Sequence, residues 1–141
     1  MDTNVLIGLF SGPPPVARAI RVDLEELSRQ DILVVSPPVY AELLAAPGRK
    51  VDDINTFLRR NHIEVDWFLD PAIWETAGLA YQQYSVARRR LQPADSGPRR
   101  ILADFVIGAH ALHAAASLLT LDQRIYRTAF PELTILTPKD L

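Results

Sequence analysis

Apolar and polar positions alternate along this chain with two periods, and the switches between them mark its elements. Residues 3–10 carry apolar side chains at helical spacing and stop at Ser11-Gly12-Pro13. A second helix starts in the proline run that follows, since proline is tolerated in a first turn, and Val16, Ile20, Leu24 and Leu27 mark its inner face. Residues 32–35 form a short β-branched apolar run, the mark of a strand covered on both faces. Ser36 before Pro37-Pro38 signals a helix start, and the helix at 39–46 ends at Pro47-Gly48. Residues 51–61 predict a helix with Ile54, Phe57 and Leu58 inward, and the alternation at 63–67 predicts a strand near an edge.

The second half repeats this grammar. Residues 71–91 predict a long amphipathic helix with Ile73, Trp74, Ala77, Ala80, Tyr81 and Tyr84 on one side. Its last turns hold Arg88–Arg90, where cations suit the helix dipole. The stretch 92–98, with two prolines, a glycine and a serine, reads as a loop. Then come a helix at 99–115, a strand at 117–121, a helix at 122–130 and a last strand at 133–136. Strands alternating with helices of this length predict an α/β fold with a parallel sheet between helices.

Composition narrows the class. The chain has 141 residues, of which 48% are hydrophobic and 23% charged, the balance of one ordinary globular domain. With no cysteine, it has no disulfide, thiol nucleophile or cysteine zinc site. The net charge of −2 gives no general attraction to nucleic acid, so such binding needs a local patch such as Arg59-Arg60, Arg88–Arg90 or Arg99-Arg100. The apolar start has the outline of a secretory leader but is acidic and short, and the apolar stretch at 105–121 carries two histidines and many alanines. A soluble protein away from the membrane is expected.

Four acids then stand out. Alone, Asp2 and Asp122 each read as a helix cap, and Glu42 as a solvent-facing glutamate. Asp104 lies inside ILADFVIGAHA, where little else is charged, and is harder to explain by capping. Their arrangement is more telling. Asp2, Glu42 and Asp122 follow strand candidates, and Asp104 lies early in the helix leading to the strand at 117–121. In parallel α/β sheets, ligands bind beyond the carboxyl ends of the strands. The four acids are therefore predicted to meet at one edge. Clustered carboxylates repel unless a cation joins them. An all-oxygen donor set favours Mg²⁺ or Mn²⁺, ions suited to hydrolysing phosphodiesters.

At these residues the chain resembles PIN-domain ribonucleases, in particular the VapC toxins of bacterial and archaeal toxin–antitoxin pairs. The likeness is carried by DTNVLIGL at 2–9, YAELL at 40–44 and RRILADFVIGAHALHAAASLLTLDQRIYRTAFPEL at 99–133. It implies a PIN-like three-layer α/β/α sandwich, residues 1–141 forming a single domain around a mostly parallel sheet of four or five strands. It implies that Asp2, Glu42, Asp104 and Asp122 coordinate one or two Mg²⁺ or Mn²⁺ ions that generate a hydroxide for RNA cleavage. Thr3, Asn4 and Thr120 would support these acids, or act only as local capping groups. The implied substrate is a structured RNA such as tRNA or rRNA, and the implied partner a VapB-type antitoxin. A homodimer and a cytoplasmic location are also implied. Arg99 and Arg100, one turn before Asp104, are the candidates for phosphate contacts.

The sequence departs from the family in one respect: only Met1 precedes Asp2, where an apolar first strand is usual. A first strand truncated before Asp2 is expected, with the natural start upstream. His110 and His113 are read as packing or surface residues. Gly108 either leaves room for substrate or permits close helix packing. Trp67, Trp74, Tyr81 and Tyr84 are read as core or dimer contacts. Two other functions compete: a non-catalytic RNA-binding or interaction module on the same fold, and an aspartate-dependent α/β phosphatase. The phosphatase needs a second acid two residues after the first, and that position is Asn4.

Overall fold

The structure, a computed structural model, describes residues 1–91, 102–114 and 116–138, with the backbone alone at 88–91. The expected loop at 92–98, the pair Arg99 and Arg100, and the side chains of Arg88–Arg90 lie outside the described residues. The chain runs α1 (Thr3–Ser11), α2 (Pro14–Leu27), β1 (Leu33–Val35), α3 (Pro37–Leu44), α4 (Val51–Arg60) and β2 (Ile63–Val65). It continues through α5 (Pro71–Leu91), α6 (Leu102–His113), β3 (Leu118–Leu119), α7 (Arg124–Ala129) and β4 (Ile135–Leu136). Element order and type match the expectation throughout. The boundaries tighten: α3 starts at Pro37 because both prolines serve in its first turn.

The strands are shorter than their apolar runs, and they form two parallel pairs rather than one sheet. β1 pairs with β2 in the register Leu33↔Ile63 to Val35↔Val65, and β3 pairs with β4 through Leu118↔Ile135 and Leu119↔Leu136. The first two residues sit between the pairs. The Met1 amino group donates to the Val34 carbonyl at 2.8 Å, and the Asp2 N–H donates to the Leu119 carbonyl at 3.0 Å. These two backbone bonds tie the halves together.

One apolar core spans the elements, from Val5 and Leu6 of α1 through Val35, Val39, Leu43 and Ile54 to Phe105, Leu118 and Tyr126. Ile20 and Leu24 are buried as the pattern predicts, as are Ile73, Ala77 and Ala80 on α5. Tyr81 stacks on Phe105 of α6 with centroids 4.6 Å apart, and Tyr84 meets the same ring at 5.6 Å. The two tryptophans depart from the core reading: Trp67 is 56% and Trp74 48% exposed. His110 is buried on α6 and bonds the Asp66 carboxylate at 3.0 Å, whereas exposed His113 meets the Thr76 hydroxyl at 2.8 Å. Among the described residues no helix is long and apolar enough to cross a membrane.

Gly108 serves packing. A Cβ built on it would stand 2.2 Å from the Phe130 ring, and Phe130 is itself buried. Gly108→Ala is therefore expected to lower stability by about 1–3 kcal/mol, read as a fall in melting temperature.

Candidate active site

Asp2 occupies the N-cap position of α1, with extended backbone, yet its side chain makes no capping bond. It turns inward and is only 5% exposed. A buried carboxylate is tolerable only with donors, and two are supplied to the same oxygen, Oδ2. Thr120 Oγ1 donates at 2.6 Å, and Asn4 Nδ2 donates at 2.7 Å. Thr120 is fully buried just after β3, and its hydroxyl accepts from Asn4 Nδ2 at 3.1 Å and from the Asp122 N–H at 3.1 Å. Asn4 closes the knot by accepting from the Leu121 N–H at 3.0 Å. Thr120 and Asn4 thus steady an acid, as the motif implied, and the amide at position 4 has a structural partner set.

The other acids come from separate elements. Glu42 projects from the middle of α3, and its carboxylate accepts from the Thr3 hydroxyl of α1. Asp104 lies in the first turn of α6, where a negative charge suits the helix dipole. Asp122 follows β3. It accepts from the Arg124 N–H at 3.1 Å, a cap-like bond, and its two oxygens meet the Arg124 guanidinium at 3.0 Å each. That hydrogen bond, and then the charge of Asp122, raise the Arg124 pKa further above its ordinary value, although the guanidinium is exposed.

All four acids line one open cavity of about 530 Å³, together with Thr3, Asn4, Ile7, Ala45, Ile125 and Tyr126. The edge predicted from the sequence is therefore real. Among the described residues, however, no three His, Asp or Glu side chains stand close enough to enclose an ion. Glu42 is held toward Thr3 and Asp122 toward Arg124, so the carboxylates share a chamber without forming a closed cage.

Tyr126 is a member of the site that the apolar pattern concealed. It packs on α7 as a core residue, 1% exposed, but its hydroxyl has no hydrogen-bond partner in the structure. Burial raises the phenol far above its ordinary pKa, and the charges of Asp2 and Asp104, the nearness of its hydroxyl to the Asp2 carboxylate and the charge of Glu42 raise it further. One hydroxyl therefore feels three of the four acids, which locates their common focus. A neutral hydroxyl at that focus, among oxygen-only ligands, has an oxygen that can accept from the waters of a hydrated hard cation. The one available sequence signal was the spacing of Tyr126 four residues after Asp122, one helical turn, and such spacing alone does not separate a core ring from a site hydroxyl.

Comparison with known proteins agrees with this geometry. The family model described as "PIN domain" matches residues 1–131. Among solved structures, the VapBC2 complex of Rickettsia felis bound to a DNA fragment from its promoter superposes with a TM-score of 0.58. The identity is 19%, with 96% of this chain and 94% of the other covered, a likeness of fold. No curated protein matches. With the acids at one edge of a parallel α/β framework and the family match over nearly the whole chain, this protein belongs to the PIN domain family.

Proposed function

We propose that the protein is a metal-dependent endoribonuclease, the toxin of a VapBC-type pair, acting in the cytoplasm as a homodimer and restrained by a VapB-type antitoxin. The observation that carries this reading is the convergence of Asp2, Glu42, Asp104 and Asp122, from four separate segments, on one cavity. Family membership and the likeness to a VapBC structure support the nuclease and toxin parts.

In this reading the four carboxylates hold one or two Mg²⁺ or Mn²⁺ ions. The bound ion supplies a water of lowered pKa and offsets charge on the scissile phosphate. The remaining work falls to the chain. Thr120 and Asn4 fix the Asp2 carboxylate in one orientation, so no reordering is needed when the substrate arrives. Thr3 does the same for Glu42. The high pKa of Tyr126 keeps its phenol neutral, a donor for an oxygen at the centre of the cavity. Arg124 balances the charge of Asp122 and holds an exposed guanidinium beside it, suited to phosphate. Hydrolysis joins the water oxygen to phosphorus, breaks one ester bond and leaves the proton on the departing oxygen.

Incubation of cellular RNA with Mn²⁺ or Mg²⁺ should give discrete fragments, and EDTA should prevent them. Asp104→Asn should lower cleavage more than about a hundredfold while the protein remains folded. Mg²⁺ should raise the melting temperature of the wild type more than that of this variant, and equal shifts would contradict a shared cation site. Tyr126→Phe removes a buried hydroxyl while keeping the ring that fills the core, so the protein should remain folded. Its cleavage should nevertheless fall about tenfold or more, and full activity would assign the ring to packing alone.

A further inference from the structure

The loop between α3 and α4 carries a cation that lies outside the acidic chamber. α3 ends at Leu44, and the residue whose N–H would continue its ladder to the Leu43 carbonyl is Pro47, which has none. Arg49 supplies the missing donor: its Nη1 reaches that carbonyl at 2.6 Å. A tight turn brings it back. The Arg49 N–H donates to the Ala46 carbonyl at 3.2 Å, with Pro47 and Gly48 between them and Gly48 at φ +80°. Proline followed by glycine at a positive φ is what a type II turn requires, and a side chain at position 48 would strain it.

The same guanidinium holds a second helix. Its Nη2 donates to the Ser11 hydroxyl at the end of α1 at 3.3 Å, and its central carbon lies 4.7 Å from the centroid of the Phe10 ring. Phe10 in turn meets Phe57 of α4 edge to face at 4.9 Å. Arg49 therefore stands at the C-terminal ends of α1 and α3 together, where a cation suits both helix dipoles. These two helices build one wall of the chamber. α1 contributes Thr3, Asn4 and Ile7, α3 contributes Glu42, and Ala45 follows directly after it. The Thr3 hydroxyl joins the helices at the Glu42 carboxylate. Arg49 joins them a second time, at the backbone carbonyl of the residue next to Glu42.

We propose that Arg49 is a positioning residue for the acidic chamber: by fastening the end of α3 to the end of α1, it sets where Glu42 stands relative to Asp2, and so how tightly the chamber holds a divalent cation. Asp2 is fixed separately by Thr120 and Asn4, so a drift of α3 moves Glu42 against a stationary partner. Distances from a bound cation to its ligands tolerate only about 0.2 Å, so a small drift is enough to weaken binding. The inference rests on the cation reading of the chamber, and Arg49 is not among the residues that line it.

The test titrates the full chain with Mn²⁺, counts the free ion by electron paramagnetic resonance, and records the metal-free melting temperature of each variant. Arg49→Met keeps an apolar stem over Phe10 and removes both donors, and its affinity for Mn²⁺ should fall about tenfold. Arg49→Lys keeps the charge and one donor, and should recover part of that loss. Ile54→Val, a core change on α4 that leaves these contacts in place, should lower the melting temperature and keep the wild-type affinity. Wild-type affinity in Arg49→Met, or an equal loss in Ile54→Val, would overturn the proposal by reducing Arg49 to a structural residue. If Arg49→Met does not fold, Arg49→Lys decides: weaker binding supports the proposal and unchanged binding overturns it. A wild type that binds no Mn²⁺ would refute the cation reading instead, and a metal-free cycle then decides the positioning of Glu42. Thr3→Val releases Glu42 at its other tie, so the double variant should lose less melting temperature than the two single losses combined. Strict additivity would overturn the proposal.

Discussion

The hydrogen bond between the hydroxyl of Thr120 and the buried carboxylate of Asp2 holds this structure and its site in one contact. It joins residues 118 positions apart, at the seam between two parallel strand pairs. Burying Asp2 without donors would be costly, so the chain must bring Thr120 and Asn4 to it. Doing so fixes the end of β3 against the first turn of α1. The backbone bonds of Met1 and Asp2 to Val34 and Leu119 complete the seam. Stability and site geometry therefore depend on the same few atoms.

The acids also oppose the fold. Four carboxylates around one cavity repel, and each one whose hydrogen bonds are described leans on a neighbour of its own: Asp2 on Thr120, Glu42 on Thr3, Asp122 on Arg124. These local donors lower the cost of the cluster without removing its net charge. They also explain why the carboxylates line a common chamber without closing on a point. A divalent cation is the simplest way to draw them together, and the Tyr126 hydroxyl stands where such an ion would be felt.

Much of this was legible in the residues. Helical spacing located every described helix, and the acids at strand-to-helix junctions predicted a shared edge, which the cavity bears out. What the pattern could not show was pairing. Apolar runs at 32–35 and 117–121 yield strands of three and two residues, because backbone ladders, not hydrophobicity, set strand length. Nor could it distinguish the two faces of an aromatic ring. Tyr126 looks like any core tyrosine until its hydroxyl is seen without a partner, whereas Trp74 keeps helical spacing with buried Ile73 and Ala77 yet stays half exposed. Gly108 was ambiguous between substrate space and packing, and only the Phe130 ring beside it decides.

The protein thus presents two surfaces of different chemistry, an open chamber of acids and an aromatic cleft at Trp67 and Trp74, with Glu42 and Pro37 of α3 lining one each. The central claim is the proposal that four acids from distant segments form one site for a divalent cation. Anomalous scattering from crystals soaked in Mn²⁺ tests it most directly. A peak within coordination distance of Asp2 and at least one of Glu42, Asp104 and Asp122 is the expected result. Crystals showing well-ordered carboxylates with no peak in this chamber, or manganese bound only elsewhere, would contradict it.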